Sequence, residues 1–292
     1  MFYLVRLASA LVIAFAYMLF DIFNRRNIPD VFAYSTLAYA LVLGLFAGTA
    51  TVVEESLLVA AIIIGAGYLV YKMGELGAGD VIELAAISLL LFAPVAPLLS
   101  IGIPQLGLPF VVSLLLDIGL VAVLFVPLYY IPRAAHRFGA KTLRQVSQRD
   151  IIKAVTITAA YAIFLVFLVY YAHIDVYGTA VVLAVMVGSA LLVLFQKPIT
   201  ATMVDVVGVD QFEEGDILAF NMMSRARITR EKRRIGSFDR LVTRRLIREM
   251  KSKKVKDKFP VYKRAVPLAL PIFVALVLSV LYGNLILLVL FR

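Results

Sequence analysis

Long apolar runs constrain this chain more than any other feature. They read roughly as Phe2 to Phe20, Val31 to Ala47, Ser56 to Tyr71, Val81 to Ile103, Pro109 to Ile131, Ile151 to Ala172, Gly178 to Phe195 and Ala265 to Phe291. Several approach the roughly 20 residues that carry a helix across a bilayer. At 62% hydrophobic residues the chain exceeds the half-apolar composition of soluble domains. A transmembrane β-barrel would instead alternate over about ten-residue segments. The pattern predicts an all-α polytopic membrane protein with about eight transmembrane helices and a small basic cytoplasmic module. The first run ends in Asp21 without a small-residue cleavage site, so it reads as a retained helix and not a signal peptide.

The loops between the runs alternate in charge. Arg25 and Arg26 follow the first run, Lys72 follows the third, and five cations lie between Arg133 and Arg149. The intervening loops carry Glu54 and Glu55, no charge at all, and Asp175. Residues 197–264 hold 18 Lys/Arg against 9 Asp/Glu, which is nearly all of the net charge of +10. The positive-inside rule puts the basic loops in the cytoplasm and both chain ends outside. The expected organisation is a membrane catalytic domain over 1–131, additional membrane helices over 132–196, a basic cytoplasmic module over 197–264 and a C-terminal transmembrane helix over 265–292. Within the module, Val204 to Phe220 reads as a pair of strands and Ser237 to Val255 as an amphipathic helix striped by Phe238, Leu241, Val242, Leu246 and Met250.

Composition narrows the chemistry. There are no cysteines and only two histidines, His136 and His173, so thiolate chemistry, a Ser-His triad and a His-built metal site are disfavoured. No metal or cofactor is expected. Carboxylates remain. Asp21 closes the first run and Asp80 opens the fourth, and the charge alternation puts both at the cytoplasmic face. Two carboxylates around one water can hydrolyse a peptide bond if one is ionised and the other protonated. Asp80, at a helix N-terminus, is expected to be the ionised member, and Asp21, at a helix C-terminus, the proton donor. Gly77 and Gly79 precede Asp80, where glycine permits positive φ and lets a substrate backbone come close.

These residues resemble the type IV prepilin peptidase family, especially its archaeal preflagellin peptidase branch. The likeness rests on Asp21, Arg25 and Ile28-Pro29, then Gly77-Ala78-Gly79-Asp80, and covers about residues 1–130. Ile28-Pro29 stands one residue further from Asp21 than the family's usual spacing, and Ile82 occupies the place of a common Lys. The resemblance implies a membrane aspartyl endopeptidase with Asp21 and Asp80 as the catalytic pair. It implies a multi-pass protein of an archaeal cell membrane that removes short basic leaders from prepilin-like or preflagellin-like precursors. Such a leader would seek acidic partners, for which Asp30, Glu75 and Glu83 are candidates. Arg25, Pro29, Gly77, Gly79 and Glu83 are the expected turn and substrate-positioning residues.

Asp117 lies inside the fifth run, where burying a carboxylate is costly. It supports the rival reading of a transporter or ion-coupled carrier; a non-catalytic membrane scaffold is the third. Arg6 is expected to snorkel to the outer surface, and Gly65 and Gly67 to allow close helix packing. The basic helix is expected to rest on anionic lipid. No base-reading element accompanies it, so nucleic acid is not an expected partner.

Overall fold

The structure is a computed structural model that describes residues 2–23, 28–46, 49–73, 76–92, 98, 109–139, 141–236, 238–255, 257–263 and 268–285. The chain opens with α1 (Phe2–Phe23), α2 (Asp30–Leu45), α3 (Ala50–Lys72), α4 (Ala78–Leu90) and α5 (Phe110–Phe138). It continues through the short α6 (Lys141–Arg144), α7 (Gln148–Tyr171) and α8 (Val176–Leu194). The module comprises α9 (Gln196–Met203), β1 (Val204–Gly208), α10 (Arg225–Ile235), α11 (Arg244–Ser252) and β2 (Lys258–Tyr262), and α12 (Ala269–Tyr282) follows. Among the described residues, α1, α3, α5, α7 and α8 are long and apolar enough to cross a membrane, and α2 and α12 are shorter apolar helices. In the fourth run, helix is described only as far as Leu90.

Local chemistry sets several helix ends. Ser147 and Asp150 cap α7 reciprocally, and Lys197 adds an ion pair to Asp150 at 2.9 Å. Asp175 caps α8 by accepting the Gly178 N–H at 2.7 Å. Arg6 does not snorkel. It is buried, and its Nε donates to the Leu90 carbonyl at 2.8 Å, where α4 runs out of intrahelical donors. A terminal carbonyl inside an apolar bundle has no water to turn to, so α1 supplies the donor.

One core joins α1, α2, α4, α5 and α12. It is built from Leu7, Ala10 and Tyr17, from Ala33 and Ala40, from Leu84, Ile87 and Leu90, from Leu114, and from Ile272, Ala275 and Leu276. The C-terminal helix therefore belongs to the same bundle as the first five helices; α12 packs on α1 and α5. Hydropathy finds such a helix but carries no signal for which neighbours bury it. Helix α3 joins the bundle on α4. A Cβ on Gly67 would lie 2.5 Å from Val81, so only glycine allows that approach, whereas Gly65 meets nothing within 4 Å. The α7–α8 pair attaches through α8 to α5.

The module has its own core of Phe212, Leu218, Phe238, Val242, Leu246, Met250, Phe259 and Val261. Two sequence expectations change here. First, β1 pairs antiparallel with β2, more than fifty residues on, and 215–220 contributes only the single bridges Ile217–Leu241 and Leu218–Val261. Second, the helix expected over Ser237 to Val255 is described only over α11. Thr243 caps it by accepting the Leu246 N–H at 3.2 Å, and Leu241 just before it is extended against Ile217. The apolar stripe faces the module's interior. Burial of residues 238 and 242 in a bent segment imitates a helical period without forming one.

Candidate carboxylate site

Four loops gather at one end of the helices. The Ile28 side chain lies where a Cβ on Gly79 would be, which brings the residue just ahead of the α2 cap onto the start of α4. Arg240 of the module donates to the Met73 carbonyl at the end of α3 (3.4 Å). Arg137, near the end of α5, donates to the Thr202 carbonyl (3.1 Å) and pairs with Asp205 (3.4 Å). These are the same loops that the charge pattern groups on one side.

The Gly77-to-Asp80 segment is the start of a helix and not a free turn. Gly77 is the N-cap of α4 with φ −75°, and Gly79 already lies within the helix. Neither glycine has positive φ. They are needed for space, because a Cβ on Gly77 would sit 2.7 Å from an Asp80 carboxylate oxygen and one on Gly79 would collide with Ile28. Asp80 is half-buried, and its Oδ2 accepts the Gly77 N–H at 3.1 Å.

Asp21 sits in the last turn of α1 and is buried at 8% exposure. Its Oδ2 accepts the N–H of Ala269, the first residue of α12, at 3.2 Å. This contact was not legible in the sequence, since 248 residues separate the partners. It also changes the electrostatics. The acid–base order expected above rests on α1 presenting its negative end to Asp21. Helix α12 presents its positive end to the same carboxyl, so both aspartates sit at helix N-termini and the dipoles no longer order them.

Glu83, one turn beyond Asp80 on α4, is fully buried. Among the described residues neither of its carboxyl oxygens has a hydrogen-bond partner. It lies within electrostatic reach of both Asp80 and Asp21. Lys72 lies over the Tyr68 ring at 4.8 Å. Tyr17 is the residue the sequence reading missed. It is one turn before Asp21, so the i, i+4 spacing could have flagged it. Its hydroxyl meets Thr36 Oγ1 at 3.0 Å, and it lies within electrostatic reach of Glu83 and Asp80. Thr36 spends its own proton on the Ala33 carbonyl at 2.8 Å, so Tyr17 is the donor.

Pro29 is the exposed N-cap of α2, with Asp30 the first residue of that helix. Arg25 and Glu75 lie outside the described residues. Asp117 is elsewhere and is fully engaged: it accepts from Ser279 Oγ (2.6 Å) and from the Leu285 N–H (3.0 Å), tying α5 to the end of α12. Both donors come from the chain's own fold. Among the described residues no group of three His, Cys, Asp or Glu has the arrangement to hold a metal ion.

No known protein family, curated protein or solved structure matches this chain.

Proposed function

We propose that the protein is a membrane aspartyl endopeptidase that uses Asp21 and Asp80 to remove a short basic leader from prepilin-like or preflagellin-like precursors. The observation that carries this reading is the convergence of the two carboxyls. They come from separate helices, at the same end of the bundle, and both are felt by one buried glutamate. The resemblance of the first 130 residues adds the substrate class. In this account the chain crosses the membrane eight times, the site faces the cytoplasm, and the membrane is archaeal.

The chemistry balances with two carboxyls and one water. The ionised member takes a proton from water as its oxygen attacks the scissile carbonyl, while the protonated member gives its proton to the carbonyl oxygen. The tetrahedral intermediate then collapses. The C–N bond breaks, the nitrogen takes up a proton, and the leader leaves with a new carboxylate. The apolar remainder of the precursor stays in the bilayer with a new amino terminus. Ile28, just ahead of α2, packs against Gly79 on the helix that carries Asp80, and a fixed placement of the reacting groups is what such a reaction needs.

The test is direct incubation of the purified full chain, in detergent, with a precursor bearing a short basic leader ahead of an apolar segment. The expected result is one cut, on the cytoplasmic side of the apolar segment. An untouched precursor, across a panel of archaellin-like and pilin-like leaders, would argue for the scaffold reading.

A further inference from the structure

Glu83 is not accounted for by the two-carboxyl reaction. It is fully buried in an apolar helix bundle, and both of its oxygens lack hydrogen-bond partners among the described residues. Burying an unsatisfied carboxyl is costly, so such groups persist where something else compensates them. Nothing described in the fold compensates this one. The titratable groups within electrostatic reach of Glu83 are Asp80 on its own helix and Asp21 and Tyr17 on α1. Two of those neighbours are acids, and Tyr17 gives its proton to Thr36. Among the described residues no donor reaches it, and a donor carried by a bound molecule would fill that place.

The position along α4 narrows the choice of donor. Three residues of α-helix rise about 4.5 Å, so Glu83 lies that much further than Asp80 into the bundle. Helix α4 runs from the site toward Leu90 and its contact with Arg6, at the far end of the bundle. A substrate cut between leader and apolar segment leaves its leader carboxylate on the open side of the pair. It leaves its new amine on the inner side. That amine is an ammonium at neutral pH, and at the bilayer boundary it needs an acceptor as much as Glu83 needs a donor.

We propose that Glu83 is the acceptor for the α-ammonium of the membrane-retained product, and holds that end of the chain while the leader departs. The inference rests on the proteolytic reading above. It makes Glu83 a residue that touches substrate only on the apolar side of the cut.

The probe is a synthetic peptide of about 20 apolar residues with a free α-ammonium, an amidated C-terminus and no titratable side chain, compared with its N-acetylated twin. Binding of each to the purified full chain is measured in detergent. At pH 7 the free-amine peptide is expected to bind at least about tenfold more tightly than its twin, the scale of a charge-assisted hydrogen bond. Glu83→Gln should reduce that preference to about threefold or less. A second arm needs no variant: with the wild type at about pH 9.5 the amine is neutral and the preference should fall in the same way. Equal binding of the twins by wild type, or a preference that survives Glu83→Gln or high pH, would overturn the assignment. Cleavage of a precursor by the same preparation separates the two claims. Cleavage without an amine preference sinks the role of Glu83 alone. An amine preference without cleavage sinks the protease and leaves Glu83 as an ammonium-binding carboxyl.

Discussion

Gly79→Ala tests why the tetrad carries a glycine beside the aspartate. Helix propensity alone says that this change should stabilise α4 by about 1 kcal/mol. The structure says otherwise, because the added Cβ would run into the Ile28 Cδ1 and lie 3.3 Å from Ile28 Cβ and Cγ1. Overpacking of this kind costs about 1–3 kcal/mol. The tip of Ile28 can turn away, but its Cβ cannot move without the backbone at Ile28 and Pro29 that leads into α2. A displacement of about 1 Å at a reacting group costs about 100-fold in rate. Gly79→Ala should therefore lower kcat/KM for precursor cleavage by about 10- to 100-fold, while the melting temperature in detergent changes little because propensity gain and overpacking oppose each other. The decisive variant is Gly79→Ala with Ile28→Ala. Removing the clashing atoms should bring kcat/KM to within about threefold of Ile28→Ala alone, a coupling of the size seen for residues in contact. If the double variant is as impaired as Gly79→Ala, the glycine is needed for something other than space and the steric argument fails.

Other consequences follow from contacts outside the pair. Arg6→Leu leaves the Leu90 carbonyl without its buried donor and should cost about 1–3 kcal/mol of stability, read as a lower melting temperature in detergent with cleavage per folded molecule retained. Asp117→Leu strands the Leu285 N–H, while the Ser279 hydroxyl keeps the Ala275 carbonyl, so it should destabilise by about 1–3 kcal/mol; a stably folded variant that had lost cleavage would instead put Asp117 in the chemistry. Leu246 lies in the module's core, so Leu246→Ala should loosen the module by about 2–5 kcal/mol, measured by proteolytic protection of residues 204–262. That loss should be the same in neutral and anionic vesicles, and a loss confined to anionic vesicles would mean that Leu246 faces lipid.

Much of the helical architecture was legible because long apolar runs are a coarse signal in sequence. Runs of apolar residues find helices, and the Asp-to-Pro and Gly-to-Asp spacings find the two carboxyls without any fold. The unread parts are tertiary. Ala269 meets Asp21 across nearly the whole chain, and nothing at either position encodes the other. Burial of Arg6 follows from an unpaired carbonyl at the end of α4 that the sequence does not reveal. Glu83 could be suspected from its spacing to Asp80, but its missing partners are visible only once the surrounding helices are in place. The module misled the reading for a different reason. Its apolar residues recur with a helical period, yet Leu241 is drawn into an extended bridge with Ile217 and the helix waits for Thr243 to cap it. At Gly77 and Gly79 it is close approach, and not positive φ, that the fold uses.

The central claim is that Asp21 and Asp80 act together on one bond. The most direct measurement compares precursor cleavage by wild type, Asp21→Asn and Asp80→Asn, each purified in detergent and shown by its melting curve to be folded. The account predicts a single cut by wild type and loss of at least about a thousandfold in rate for either variant, since a paired acid and base act as a unit. Cleavage that survives in either variant would contradict it.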